Sequence, residues 1–277
     1  MNKTAKGPLS RLLATPHILW SVLFILIPLA FVAFYAFTDN NLQFTTEHIS
    51  EFFTPKYLNV FLRSVKLAFI ATLICLVIGY PAAYFISRTS PNAQKILVVL
   101  IMLPMWCNLL IRTYALMALL DNGGLLNSFL DGIGLEKLPI VGSDFGVILG
   151  MVYDFLPYMV LPIFTAMTKL DYRYIEASHD LGCNAFQTMT KVVMPLTLSG
   201  VVSGVTMVFV PSISTFYISQ KLGGNKTMLI GDVIERQFQQ SYNYNLGAAI
   251  SLVLMVLILV SMAVMNRFTG DEEGMVI

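Results

Sequence analysis

One carboxylate lies inside a long apolar stretch of this chain. Asp154 interrupts the run 145–168, with Tyr153 next to it and Tyr158 one helical turn further on. A charge in the middle of a bilayer costs about 2.5–3.5 kcal/mol, so an intramembrane carboxylate indicates a function or a paired partner. A carboxylate beside aromatic rings suits a primary ammonium ion, which it attracts by charge while the rings add cation–π attraction. These residues therefore predict a substrate pathway for a cation.

Asp154 also has a purely structural explanation. Arg112 interrupts another apolar run, 96–120, at a depth close to that of Asp154. The two side chains could neutralise each other as a buried ion pair, Asp154 could contact substrate, or it could do both during a transport cycle. The substitution Asp154→Asn distinguishes these alternatives. Lost transport with intact assembly indicates substrate contact, whereas failed assembly indicates a structural pair.

Two later residues are further candidates for lining the pathway. Tyr217 lies at the end of the run 192–220, and Glu235 lies in the segment that follows it. Tyr217 continues a stripe of small polar residues that recur at helical spacing in that run. Such a stripe, with Gly200 and Gly204 beside it, is more often a surface for close helix packing than a substrate path.

A polar segment between two apolar runs indicates a different kind of site. Over Asp171–Thr188 the apolar residues recur every three or four positions, which predicts an amphipathic helix. Gly182 permits a turn within it, and Pro195 can begin the next helix without losing a hydrogen bond. A short helix, a turn and a second short helix fit a partner's groove. The polar face is not rich in Lys or Arg, which disfavours the alternative of a helix resting on the membrane surface.

The elements that position these residues are membrane-spanning helices. The chain has 277 residues, of which 56% are hydrophobic and 12% charged, and its mean hydropathy is +0.73. An ordinary soluble domain is about 25% charged. Runs of about 20 apolar residues can cross a bilayer as helices. Six such runs predict an all-α integral membrane protein, and they cover 18–37, 67–87, 96–120, 145–168, 192–220 and 246–266.

The basic residues near the first run predict how the chain is oriented. Lys3, Lys6 and Arg11 precede it, which favours a cytoplasmic N-terminus, and the run is too long for a signal-peptide core. The expected organisation is a cytoplasmic N-terminus (1–17), a first transmembrane helix (18–37), a periplasmic segment (38–62) and a five-helix core (63–266). The core contains the coupling segment 171–188, and a cytoplasmic tail (267–277) follows it.

Several classes of function lack support in the sequence. The net charge of +1 gives no footprint for nucleic acid. The three histidines are scattered without a zinc motif, and no metal site is expected. No Gly-Lys-Ser/Thr phosphate loop occurs, so the chain is not expected to be an enzyme and any ATP must be hydrolysed by a partner. The alternative is a secondary carrier for a small cation, driven by an ion gradient through Asp154.

The spacing within the polar segment resembles a known signature. Permease subunits of bacterial ABC importers carry Glu-Ala-Ala, three residues, Gly, nine residues and Ile-x-Leu-Pro. This chain keeps Glu176, Ala177, Gly182 and Pro195 at that spacing, with Asp180 and Leu181 inside it. Ser178 replaces the second Ala, and Val192 and Met194 replace Ile and Leu. The resemblance implies the type I importer permease fold, with the segment from Glu176 to Gln187 docking on an ATPase.

The resemblance continues along most of the chain. The phrases at 110–115 (Leu-Ile-Arg-Thr-Tyr-Ala) and 223–232 (Gly-Gly-Asn-Lys-Thr-Met-Leu-Ile-Gly-Asp) resemble the spermidine/putrescine importer permeases. It implies that the chain pairs with a second, homologous permease subunit in the bacterial inner membrane. It also implies a homodimeric cytoplasmic ATPase that binds ATP and Mg, and a periplasmic polyamine-binding protein. The resemblance implies no cofactor in this chain itself.

Overall fold

The computed structural model describes residues 8–39, 41–224 and 227–269. The predicted cytoplasmic N-terminus (1–17) and tail (267–277) therefore lie partly outside the described residues. Lys3 and Lys6 lie wholly outside them. Over the described ranges the chain is helical, apart from turns and an isolated antiparallel bridge between Thr38 and Phe44.

The helices of the first half follow the apolar runs. Pro8–Ser21 (α1) continues through a π-helical turn, Val22–Leu26, into Ile27–Ala36 (α2). After these come Glu47–Phe52 (α3), Pro55–Ser87 (α4), Pro91–Trp106 (α5), Leu109–Leu120 (α6) and Leu125–Gly132 (α7).

The second half begins with the long helix Asp144–Thr168 (α8), followed by two short helices, Arg173–Asp180 (α9) and Ala185–Thr188 (α10). A π-helical turn, Met189–Val193, leads into Met194–Leu196 (α11). The remaining helices are Leu198–Ser214 (α12), Tyr217–Leu222 (α13), Ile230–Gln239 (α14) and Tyr244–Thr269 (α15).

Two of the six predicted runs are not single straight helices. The run 96–120 is divided between α5 and α6, because the Asn108 side chain accepts a hydrogen bond from the Leu110 amide and caps a new helix there. The run 192–220 is bent by 71° between the stretch Ala185–Leu196 and α12, and α12 ends at Ser214. Among the described residues, five helices are long and apolar enough to cross a membrane, or six if the bent pair counts as one.

The chain divides into two compact units. Of the described residues, the first unit comprises 8–39, 41–58 and 234–257. Its small core contains the buried residues Ala36, Ala248 and Ala249. The Asn245 side chain donates hydrogen bonds to the carbonyls of Tyr35 and Thr38 and so ties the two parts of this unit together.

Of the described residues, the second unit comprises 59–224, 227–233 and 258–269, and α8 lies at its centre. Helix α12 packs closely on α8 because glycine faces it. A Cβ on Gly200 would lie 2.8 Å from the Pro162 carbonyl oxygen, and one on Gly204 would lie 2.9 Å from the Met159 sulfur. The glycines of α12 therefore serve close helix packing in this structure.

Candidate functional site

The two intramembrane charges meet in the second unit. Arg112 Nε lies 2.5 Å from Asp154 Oδ1. Asp154 is 0% exposed and Arg112 is 7% exposed, so the pair is shielded on all sides by protein. Thr113 Oγ1 donates a hydrogen bond to Asp154 Oδ2 at 3.3 Å. An isolated ion would be very costly in this buried position, and the opposite charge offsets part of that cost.

Local structure sets the position of both charges. Helix α6 begins at Leu109, so the Asn108 cap places Arg112 and Thr113 in its first turns. Asp154 lies ten residues after the start of α8 at Asp144, which at about 1.5 Å per residue is about 15 Å into the helix. The break that interrupts the predicted run 96–120 thus lies directly before the residues that hold Asp154.

The aromatic residues beside Asp154 do not surround its carboxylate. Tyr153 is 42% exposed and lies under the Arg112 guanidinium, whose carbon is 5.8 Å from the ring centroid. Tyr158 is 36% exposed and packs edge-on against Phe155. Because Asp154 is fully buried, a substrate could contact its carboxylate only after α6 and α8 had moved apart.

Tyr217 belongs to a cluster that the sequence did not reveal. Its ring lies edge-on to that of Tyr114, with centroids 5.8 Å apart. The Lys221 ammonium lies 4.8 Å from the Tyr114 centroid and 5.6 Å from the Tyr217 centroid. The spacing of Tyr217 and Lys221, four residues apart on α13, was a signal for their proximity. Nothing in the sequence linked them to Tyr114.

Glu235 lies elsewhere in the chain. It is a half-buried residue of α14, in the first unit, whereas Tyr153, Asp154, Tyr158 and Tyr217 belong to the second. Its role in the pathway stays a prediction.

The coupling segment has the predicted shape of two short helices with a glycine turn. Helix α9 ends at Asp180, and Gly182 adopts a φ of +82°, which a residue with a Cβ rarely adopts. Asn184 then caps α10, its side chain accepting from the Gln187 amide while Gln187 Oε1 accepts from the Asn184 amide. Both reciprocal bonds of a capping box are thus present.

The outward side of this segment is apolar as well as charged. The inward side is held by Ile175 and by a hydrogen bond between the hydroxyls of Ser178 and Thr188, all three buried. Leu181 is 85% exposed and Phe186 is 76% exposed. The predicted coupling residues Glu176, Ala177, Asp180, Leu181, Gly182 and Pro195 are all exposed, and so is Phe186, which sequence reasoning missed.

An elbow joins the coupling segment to the long helix α12. Thr197 is fully buried at the 71° bend, and its hydroxyl donates to the Val193 carbonyl. The Tyr80 hydroxyl of α4 lies 3.0 Å from the Thr197 hydroxyl and is buried with it. The bend is thus held from both sides by hydrogen bonds in an apolar setting, where they are hard to break.

Known proteins are similar to this chain in sequence. Residues 5–270 match the family described as "Binding-protein-dependent transport system inner membrane component". The spermidine/putrescine transport system permease protein PotB of Haemophilus influenzae is 39% identical over 86% of each chain. PotB of Escherichia coli strain K12 is 37% identical over 86% of this chain and 89% of the relative. The E. coli inner membrane ABC transporter permease protein YdcU is 31% identical over 87% of this chain and 83% of the relative.

Solved structures of importer permeases share the fold. A chain of a bacterial alginate ABC transporter, crystallised with an alginate pentasaccharide-bound periplasmic protein, aligns with a TM-score of 0.78 at 15% identity and covers 95% of this chain and 94% of that one. A chain of the MetNI methionine ABC transporter aligns with a TM-score of 0.57 over 76% of this chain and 93% of that one, at 17% identity. The fold class predicted from the Glu176 signature is confirmed.

Proposed function

The chain belongs to the family of inner membrane components of binding-protein-dependent transport systems. We propose that it forms half of a translocation pathway for polyamines. It is a multi-pass permease subunit of an ABC importer in the inner membrane. The identity to relatives named as spermidine/putrescine permeases, over most of both chains, is the observation that carries the choice of substrate.

The chemistry of the second unit supports a cationic substrate. Aromatic rings lie next to cations at two places, Arg112 over Tyr153 and Lys221 over Tyr114 and Tyr217. Rings of this kind attract ammonium groups. The Asp154 carboxylate on the neighbouring helix is paired with Arg112, so it could contact a cation only when this ion pair opens. Putrescine and spermidine are flexible polyammonium ions, for which spaced aromatic and acidic groups are suitable ligands.

The coupling segment fits a groove on a cytoplasmic ATPase. Leu181 and Phe186 supply exposed apolar side chains, and Glu176 and Asp180 supply charge beside them. An amphipathic helix pair with exposed apolar anchors binds a hydrophobic groove by burying those anchors. In the proposed assembly the ATPase is a homodimer that binds ATP and Mg, so this chain contributes no nucleotide site. A second, homologous permease and a periplasmic polyamine-binding protein complete it.

The proposed orientation places the coupling segment and both termini in the cytoplasm. Lys169 and Arg173 flank the start of the coupling segment, and Arg88 lies at the same end of the neighbouring helix α4. The Arg88 guanidinium contacts the rings of Tyr84 and Tyr172, which joins the end of α4 to the start of α9. Positive residues at this end agree with the bias of cytoplasmic loops.

The first test of this proposal identifies the proteins that bind this chain. We would solubilise it mildly from its native membrane, identify stoichiometric partners by mass spectrometry, and reconstitute the complex in proteoliposomes with the binding protein. The expected result is an ATPase, a second permease, and ATP-dependent uptake of putrescine or spermidine. Uptake of neither polyamine by an intact complex would refute the substrate. A chain that comes out alone would indicate a self-contained carrier.

A charge reversal tests the coupling residues separately. Glu176→Lys is expected to abolish substrate-stimulated ATP hydrolysis and uptake while the protein still inserts in the membrane. The matched control is Glu136→Lys, which reverses an exposed charge between α7 and α8, at the opposite end of α8. Normal uptake by Glu176→Lys at normal expression would contradict the docking role.

A further inference from the structure

The contacts of Lys221 differ from those of Arg112. Arg112 is neutralised by Asp154 at 2.5 Å, whereas Lys221 forms no ion pair with any carboxylate in the described part of the chain. Its ammonium instead lies over the rings of Tyr114 and Tyr217, 4.8 and 5.6 Å from their centroids. A half-buried lysine that is held by ring contacts and by the Tyr114 hydroxyl, without a carboxylate partner in the described part of the chain, is bound weakly enough for another cation to displace it.

The aromatic pair is held in place by tight packing. A Cβ on Gly150 would lie 2.8 Å from Ile218 Cγ2 and 2.4 Å from Leu222 Cδ1, so α13 packs directly on the backbone of α8. The Leu222 carbonyl accepts a hydrogen bond from the Gly142 amide at 2.7 Å. Thr227, beyond α13, donates to Asp144 at the start of α8. Tyr217 and Lys221 therefore project from a fixed helix, at the end of α8 opposite the coupling segment.

The rings remain accessible while they hold the lysine. Tyr114 is 45% exposed, and Tyr217 and Lys221 are half-buried. Tyr114 lies on α6 two residues after Arg112, so this cluster (α6 and α13) and the Arg112–Asp154 pair (α6 and α8) share helix α6. An ammonium ion at the rings would thus lie next to the helix that carries the partner of the buried carboxylate.

We propose that Tyr114 and Tyr217 form a binding site for a primary ammonium group of the substrate, and that the Lys221 ammonium occupies this site when substrate is absent. Lys221 is then a built-in competitor that matches the substrate in charge and in chemical group. Substrate binding displaces the lysine side chain, which is long and flexible enough to withdraw. This inference rests on the proposed cationic substrate, but it requires only an ammonium group and not a particular polyamine.

Binding to the purified complex without its binding protein tests the proposal directly. Radiolabelled putrescine is titrated against wild type and against Lys221→Met, which keeps an unbranched apolar chain and removes the charge. Loss of a competitor held by cation–π contacts predicts about two- to fivefold tighter binding. Lys221→Arg is expected to bind putrescine more weakly, because a guanidinium contacts aromatic faces over a larger area. Lys137→Met, which removes an exposed loop lysine paired with Asp131, is the matched control and should bind as wild type.

A double substitution identifies the rings as the site. In a Tyr217→Leu background, Lys221→Met is expected to give no increase in putrescine affinity, because the ring for which lysine and substrate compete has been removed. Equal affinities of Lys221→Met and wild type would overturn the proposal, and so would a gain that persists without the Tyr217 ring. Titration with n-butylamine separates this proposal from the proposed substrate. If n-butylamine shows the same pattern while no polyamine is imported, the ammonium site stands and the polyamine assignment fails.

Discussion

Replacing both members of the Arg112–Asp154 pair separates its structural role from a role in transport. The variants are Asp154→Leu, Arg112→Met and the double substitution. The pair has a 2.5 Å contact, and its side chains are 0% and 7% exposed. Removing one partner leaves an uncompensated buried charge, which costs about 3–5 kcal/mol, whereas replacing both by apolar residues is often neutral or stabilising. The double variant should therefore be at least as stable as wild type, and each single variant far less stable.

Cys75 provides a local probe of that stability. It is fully buried, and its sulfur lies 3.9 Å from the Val152 carbonyl, two residues before Asp154 on α8. Cys107 is exposed and Cys183 is partly exposed, so both are first replaced by serine. A thiol-reactive dye then labels Cys75 only when the helices around it open. In each single variant, Cys75 should become labelled at a lower temperature than in the serine background. In the double variant, the labelling temperature should be the same as in that background.

Uptake by the double variant then decides between the alternatives for Asp154. Restored stability with restored uptake indicates a purely structural pair. Restored stability without uptake indicates that the carboxylate contacts substrate or serves the transport cycle. The reasoning is refuted if the single variants label Cys75 like the serine background, or if the two destabilisations simply add in the double variant. Either result would mean that the two charges do not stabilise each other.

Three smaller perturbations test other parts of the second unit. Tyr80→Phe removes the hydrogen bond to Thr197 and should cost about 0.5–1.5 kcal/mol, seen as earlier labelling of Cys75; unchanged labelling would show that the bond does not hold the elbow. Gly182→Ala places a Cβ at a φ of +82° and should reduce substrate-stimulated ATP hydrolysis, whereas Gly134→Ala, at +78° in a distant loop, should leave hydrolysis intact. Asn127→Ala removes a buried amide that donates to three carbonyls and accepts from one amide, and should speed proteolysis of the loop before α8 in intact complexes; cleavage at the wild-type rate would contradict that role.

The sequence was sufficient to identify the class of protein and the shape of the predicted coupling segment, two short helices joined by a turn at Gly182. Hydropathy locates membrane helices well because an exposed backbone polar group in lipid is so costly that only helices or barrels can cross. The signature around Glu176 depends on local spacing, which a sequence shows directly. The similar depths of Arg112 and Asp154 also made their contact foreseeable, although the contact does not establish what Asp154 does.

The breaks within the apolar runs could not be predicted in the same way. Hydropathy does not distinguish a continuous helix from two helices joined at a capping residue, so the effect of Asn108 was missed. The 71° elbow at Thr197 depends on a hydroxyl from α4, more than a hundred positions earlier in the chain. The partnership of Tyr114 with Tyr217 and Lys221 depends likewise on how α13 packs against α6. Each is a tertiary effect, and local pattern does not report it.

The arrangement of the helices gives a direct mechanical route from the coupling segment to the buried carboxylate. The segment continues through the π-helical turn and the elbow at Thr197 into α12 without a flexible linker. Helix α12 packs against α8 at Gly200 and Gly204 so closely that a Cβ there would collide with its neighbours, and α8 carries Asp154. Close-packed interiors have low compressibility and transmit strain. In the proposed assembly, the movement of an ATPase bound at Leu181 and Phe186 would therefore be transmitted to α8, the helix that carries Asp154.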